Sequence, residues 1–333
     1  MAVLQPHPVE IHPPDIAGWR DGNAGHYAHA FSAPEPGAEV LITSLVHGNE
    51  YAGAIAMHEL LYALNHQHLR LRKGRLTALF ANIAAFGRFD AAQPDASRYV
   101  DQDFNRVWSE SVLHSSHQSC ELARAREILP LVTRATHLLD LHSMHEPCEP
   151  LLITGSLKRN IAFAQSLGGA GQIVIDAGHK DGVRMRDHAD FGREGTHKIA
   201  LLLEAGQHWQ RSAVASSQDT MLRFLLRTGL LAMEDIVSAG LQTWLSSDQT
   251  HSLPVQVTQA VVAQSMHFAF THPYSGNEVI GQAGTVIAYD NGRPIITPYD
   301  HCVLVMPSVR QLRPGVTTVR LGRHVTTDIP SAT

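Results

Sequence analysis

From about residue 38 to residue 235 the chain alternates short apolar runs with stretches of helical periodicity, and this alternation restricts the fold more than any other feature. Residues 39–46 (EVLITSLV), 76–83, 136–142, 151–154, 172–176 and 199–203 read as strands. Such runs show little polar alternation, as expected of strands buried on both faces. Residues 50–68 carry Ile55, Leu60, Leu61 and Leu64 at helical spacing. The pattern further predicts helices over 119–129, stopping before Pro130, over 158–167, and over 216–238. The expected fold is therefore α/β, a mixed central sheet flanked by helices.

Near residue 250 the texture changes. Residues 255–320 show short β-like runs broken by Pro273, Ser275-Gly276-Asn277, Asn291-Gly292 and Pro298. Two domains are expected: residues 1–248 carrying the chemistry, and a smaller all-β domain over residues 249–333.

Composition removes several function classes. With 26 Lys+Arg against 31 Asp+Glu the net charge is −5, and no basic block exists to grip a phosphate backbone, so nucleic acid is not an expected partner. No apolar run approaches the roughly 18 residues that cross a bilayer, so no membrane partner is expected. The first 15 residues lack the charged and apolar regions of a secretory signal. Cys120, Cys148 and Cys302 are odd in number and widely spaced, which fits reduced thiols in a cytoplasmic protein. The phosphate loop, the G-x-G-x-x-G fingerprint and the G-x-S-x-G elbow are absent. His58-Glu59 and His145-Glu146 begin an H-E-x-x-H pattern that Tyr62 and Glu149 fail to complete.

What remains is a set of polar residues at strand ends, where α/β folds place their sites. His47-Gly48-Asn49-Glu50 follows the first run, with Gly48 read as letting the backbone bend so that His47 and Glu50 face one ion. The run Leu138-Leu139-Asp140-Leu141-His142 ends in an imidazole. Together His47, Glu50 and His142 make a His₂Glu set, the composition of zinc hydrolases that keep a fourth position open. Asp140 faces the same side as His142 and is placed to orient it. Arg98, Asn105 and Arg106 lie within one nine-residue segment, which reads equally as a solvated loop or as a carboxylate clamp. Glu204 ends the run 199–203, as a salt-bridged strand end or as a carboxyl desolvated enough for general-base work. The chain has 22 histidines, and the others, including His137, His145, His179, His188, His197 and His208, are read as structural.

These segments resemble the succinylglutamate desuccinylase/aspartoacylase family of zinc carboxypeptidase-like hydrolases. The resemblance rests on HGNExxG at residues 47–53, R-Y-x-D-x-D-x-N-R at 98–106, DLH at 140–142 and E-x-G at 204–206, in family order over about 160 residues. It implies one zinc ion per chain held by His47, Glu50 and His142, with Glu204 as general base. It further implies Arg98 as the group polarising the scissile carbonyl, and Asn105 and Arg106 as holders of the substrate's α-carboxylate. The implied activity is hydrolysis of a small N-acyl amino acid at its amide bond. The C-terminal segment resembles the family's β domain, which narrows the cleft, and residues 279–284 resemble its lipoyl-like turn. Arg184, Arg186, Arg193, Tyr274, Tyr289 and Tyr299 find no place in the family pattern. The alternatives are a metallocarboxypeptidase acting on peptides and a non-catalytic metal-binding protein of the same fold. Homo-oligomer formation is compatible with the sequence, which leaves the assembly state open.

Overall fold

The structure, a computed structural model, describes residues 7–66, 68–169, 171–178, 181–247 and 253–326. Its centre is a parallel array in which Lys73–Phe80, Glu35–Ser44, His137–Met144 and Ile199–Gln207 lie side by side. Successive side chains of these strands enter two different cores. Val40, Ile42, Leu139, Leu141, Leu201 and Leu203 pack on one face under the helices Ala52–Asn65 and Arg211–Arg227. Leu41, Leu138 and Ala200 pack on the other, with Phe104, Trp108 and the helix Cys120–Arg134. Apolar runs with little polar alternation follow from that double burial.

Antiparallel strands extend the array on both sides, so the sheet is mixed. Ala28–Ser32 joins one edge against Lys73–Phe80. On the other side Leu151–Ile153 pairs antiparallel with Ile199–Gln207 and parallel with Gln172–Ile175. The C-terminal segment is all β. Its first strand, Val255–Val262, adds to Gln172–Ile175 through Val255↔Val174 and Gln256↔Ile175, followed by Thr317–His324, Cys302–Val305 and Glu278–Ile280. The strands Phe268–Phe270, Val286–Asp290 and Arg293–Ile296 form a separate three-stranded sheet. A third core of Val261, Phe268, Ile287, Leu304 and Leu321 fills this segment. The boundary expected at residue 248 lies outside the described residues.

Two expected helices differ from the structure. The helix expected over 119–129 continues through Pro130 to Arg134. Pro130 is exposed, and the carbonyl four residues earlier, on the same side of the helix, loses its partner where water can replace it. The single helix expected over 216–238 is two, Arg211–Arg227 and Met233–Ser238. Gly229, at φ +72°, takes a left-handed conformation that ends the first of them. Among the described residues no helix is long and apolar enough to cross a membrane.

Pro130→Ala restores a backbone donor in an otherwise regular helix and is expected to stabilise the protein by about 1–3 kcal/mol. A denaturant midpoint that stays put or falls in this variant would show that the proline is used elsewhere in the packing.

Candidate active site

Strand register sets the site. His142 and Glu204 are direct partners on adjacent parallel strands, so both side chains emerge at one carboxyl end of the sheet. The neighbouring strand Glu35–Ser44 delivers residues 47–50 to the same end. The left-handed turn there falls on Leu45 (φ +59°), not on Gly48, which has no positive φ. Gly48 serves close approach instead. A Cβ on it would sit 2.4 Å from the backbone of Ala85, Phe86 and Ser97, and its N–H donates to Arg98 O at 3.1 Å. That contact docks the loop carrying Arg98 against the loop carrying His47. The helix after this loop begins at Ala52, two residues beyond Glu50.

His47, Glu50 and His142 are each 3% exposed, and a donor atom of each lies within 4.8 Å of the others. Glu50 Oε1 is 2.7 Å from His47 Nδ1, and Glu50 Oε2 is 2.9 Å from His142 Nδ1. The far nitrogen of each imidazole meets an aspartate. His47 Nε2 is 3.0 Å from Asp103 Oδ1, and His142 Nε2 is 3.0 Å from Asp140 Oδ2. Thr43 Oγ1 fixes Asp140 in turn by donating to its Oδ1 at 2.6 Å. Carboxylates behind imidazoles are the outer partners that orient metal-ligating histidines. The donor set of two imidazoles and a carboxylate fits zinc, with room for a further ligand from the cavity.

The electrostatics are those of a buried charge network. Burial would raise the Glu50 carboxyl, but the charges and hydrogen bonds of His47 and His142 outweigh it and hold it well below the usual range. For Asp103, burial is likewise overcome, here by His47 and Arg98, and the group stays ionised. Burial disfavours the His142 imidazolium, yet Asp140 and Glu50 hold its pKa well above the ordinary value. Glu204 moves the other way: burial and the Glu50 carboxylate push it up to about 8. Its Oε2 is buried and has no hydrogen-bond partner, so a polar atom is left without a donor in the wall of the same cavity.

A cavity of about 390 Å³ opens over these groups, with Arg98, Asn105, Arg106 and Glu204 in its wall. Arg98 Nη1 donates to Glu50 Oε1 at 2.9 Å and its Nη2 to Asp103 Oδ2 at 3.4 Å, which keeps the guanidinium at the edge of the donor set. Asn105 accepts the Met185 N–H on Oδ1 at 3.0 Å, turning Nδ2 toward His142 Nε2 at 3.5 Å. Arg106 holds its own loop through Asn105 O at 2.8 Å. Its pKa is lowered by burial and, against the pull of Asp103, by the charges of Arg98, Arg184 and Arg320. An anion at Arg106 relieves that repulsion.

Other residues enter the site without a sequence signal of their own. Arg184 and Arg320 line the cavity as a pair about Asp176, at 3.1 and 3.3 Å from its Oδ2. Arg320 comes from the C-terminal strand Thr317–His324, where nothing in its neighbours marks it. Arg186 is buried against Thr154 O, and Arg193 is exposed and paired with Asp190. Tyr274, Tyr289 and Tyr299 do not line the cavity. His137 is pushed down to about 4 by burial, as suits a packed imidazole, and His179 lies outside the described residues.

The succinylglutamate desuccinylase/aspartoacylase catalytic domain matches residues 36–228. No curated protein matches the chain. Among solved structures, the succinylglutamate desuccinylase from Chromobacterium violaceum is 18% identical, with TM-score 0.64 over 91% of this chain and 89% of its own. A succinylglutamate desuccinylase/aspartoacylase from Rhodobacter sphaeroides is 16% identical, with TM-score 0.64 over 90% and 89%. The product-bound ectoine utilisation protein EutE (DoeB) from Ruegeria pomeroyi is 17% identical, with TM-score 0.61 over 93% and 92%.

Two measurements test the site's physics without turnover. Gly48→Ala must move backbone atoms and is expected to cost about 1–3 kcal/mol in a denaturant titration; a neutral result would mean the two loops are not docked as described. For Glu204 the folded pKa lies above the ordinary value of 4.5, so folding takes up a proton between pH 4.5 and about 8. Stability is therefore lost as pH rises through that window. In metal-free protein Glu204→Gln should match the parent Tm below pH 4.5 and exceed it by about 3 °C or more above pH 8. A Tm difference independent of pH would refute the raised pKa.

Proposed function

The chain belongs to the succinylglutamate desuccinylase/aspartoacylase family of hydrolytic deacylases, and from that premise we propose that it is a zinc-dependent amidohydrolase acting on a small N-acyl amino acid. The observation that carries the reading is the partnerless Glu204 carboxyl, held beside the buried His47, Glu50 and His142 donors. His47, Glu50 and His142 would hold a cation, which would supply Lewis-acid polarisation and lower the pKa of water toward neutrality.

The remaining work falls to the chain's own side chains. Glu204, ionised once a bound cation offsets the Glu50 charge, takes a proton from the attacking water and returns it to the leaving amine nitrogen. Arg98 meets the carbonyl oxygen as negative charge grows on it, and it is already fixed in place by Glu50 and Asp103. Arg106 and the Asn105 amide hold the carboxylate of the amino-acid half, where the charges of Arg98, Arg184 and Arg320 already crowd Arg106. The C-terminal segment contributes Gly276, Met306 and Arg313 to the cavity wall, which favours small acyl amino acids over peptides. A cytoplasmic setting is supported by the unpaired state of Cys120, Cys148 and Cys302.

Amine release from a panel of N-acetyl, N-succinyl and N-formyl amino acids, with zinc-loaded and chelated protein, tests the reading. Chelator-sensitive release is expected, and the best substrate identifies the acyl group. Glu204→Gln should lower kcat by about 10²-fold or more while zinc content is unchanged. Arg106→Gln should act mainly on KM. Faster turnover of peptides would favour a metallocarboxypeptidase, and zinc binding without any turnover would favour a non-catalytic protein.

A further inference from the structure

The strand pair that brings His142 to Glu204 also brings together two imidazoles that the proposed reaction does not use, and a nearby turn adds a carboxylate to them. Met144 and Gln207 are register partners, and the His208 N–H donates to Met144 O at 2.9 Å. The next residues, His145 and His208, therefore leave the carboxyl ends of the two strands together. Their rings meet edge to face at 82°, with His208 Nε2 3.1 Å from His145 Nδ1. Asp95, in the turn Pro94–Ser97 that leads into Arg98, places Oδ1 3.5 Å from the same His145 Nδ1.

From this geometry we infer that Asp95, His145 and His208 form a second divalent-cation site, one that takes zinc or a similar borderline ion. The three donor atoms lie within 4.8 Å of one another. Donors about 2.0–2.1 Å from a tetrahedral ion sit about 3.4 Å apart, and the two close separations, 3.1 and 3.5 Å, bracket that value. Two imidazoles and one carboxylate select such an ion over magnesium or calcium, which prefer an all-oxygen shell.

The surroundings meet the other demands of a metal site. His208 is fully buried, and its far nitrogen, Nδ1, is held 2.8 Å from Ser143 Oγ, so its ring is fixed with Nε2 facing outward. Asp95 is 44% exposed in its side chain, which provides an entry path from solvent. Arg310, whose charge reaches Asp95, is held by Glu146 Oε1 at 2.8 Å, while His7 takes Glu146 Oε2 at 2.8 Å. The group shares no residue with His47, Glu50 and His142. Ser143 joins the two, donating its N–H to Glu50 Oε2 at 3.1 Å while its hydroxyl meets His208.

The test counts zinc in the full-length protein after equilibration with excess zinc and gel filtration, by mass spectrometry of the metal. His145 and Asp95 are partly exposed and serve as the variants, with circular dichroism to check folding. Wild type is expected to carry two zinc ions per chain, His145→Gln one, His47→Gln one, and the double variant none. Asp95→Asn should weaken the second ion by about tenfold or more in competition with a chromophoric chelator. A single zinc, lost in His47→Gln and kept in His145→Gln, overturns the second site and leaves the first intact. A single zinc with the opposite pattern supports the second site and overturns the first as the zinc centre. A second zinc that survives His145→Gln also overturns the assignment, as does a wild type that holds none.

Discussion

The Glu50 carboxylate is the point on which this structure turns. Its two oxygens receive four contacts: His47 Nδ1 and Arg98 Nη1 on one, His142 Nδ1 and the Ser143 N–H on the other. These partners come from the loop at residue 47, the loop at residue 98 and the end of a central strand, so one small group ties three chain segments together. A carboxylate this buried would be strongly destabilising without such partners. With them its charge is matched, and each partner is positioned by a further contact. Asp103 backs both His47 and Arg98, while Asp140 backs His142 and is itself fixed by Thr43. Removing a charged member would leave its partner's charge buried without a match in the low-dielectric interior.

Against that matched network, the Glu204 carboxyl is the exception. It shares the strand end with His142 but has no hydrogen bond to its Oε2, and the nearby Glu50 charge repels it. Two carboxyls in one pocket thus differ in protonation because one has donors and the other has not. That contrast is what separates a group that holds a position from a group that can exchange a proton.

Much of this was legible in the sequence because parallel strands announce themselves. A run such as Leu138-Leu139-Asp140-Leu141-His142 specifies both its burial and the face on which its polar residues emerge. The fold class follows from such runs, whereas the family was legible through the resemblance of the four motifs at residues 47–53, 98–106, 140–142 and 204–206. What escaped was decided by neighbours distant in sequence. Gly48 is required by the backbone of residues 85, 86 and 97, not by its own φ. Pro130 is tolerated because its helix face meets water, and Gly229 divides one helical pattern into two. Asp103 lay inside a motif with no role until the docking of its loop against the loop at residue 47 put it behind His47. Arg320 reaches the cavity from more than a hundred residues beyond Glu204, a distance across which periodicity carries no information.

The C-terminal strands show why that long-range contribution matters. They are not hung on a linker alone, because Val255–Val262 hydrogen-bonds to Gln172–Ile175 and so extends the catalytic sheet. Met144, Leu151, Val174, Leu202, Val255 and Val303 form one apolar cluster across that junction. A wall built this way holds its distance from the chemistry, since shifting it would break both strand pairing and a packed core. Asp176 stands beside the junction, just after Gln172–Ile175, and binds Arg184 from the catalytic segment and Arg320 from the C-terminal one. The same ion cluster that lines the cavity therefore also fastens its two sides, so the shape of the cavity is set by the sheet itself.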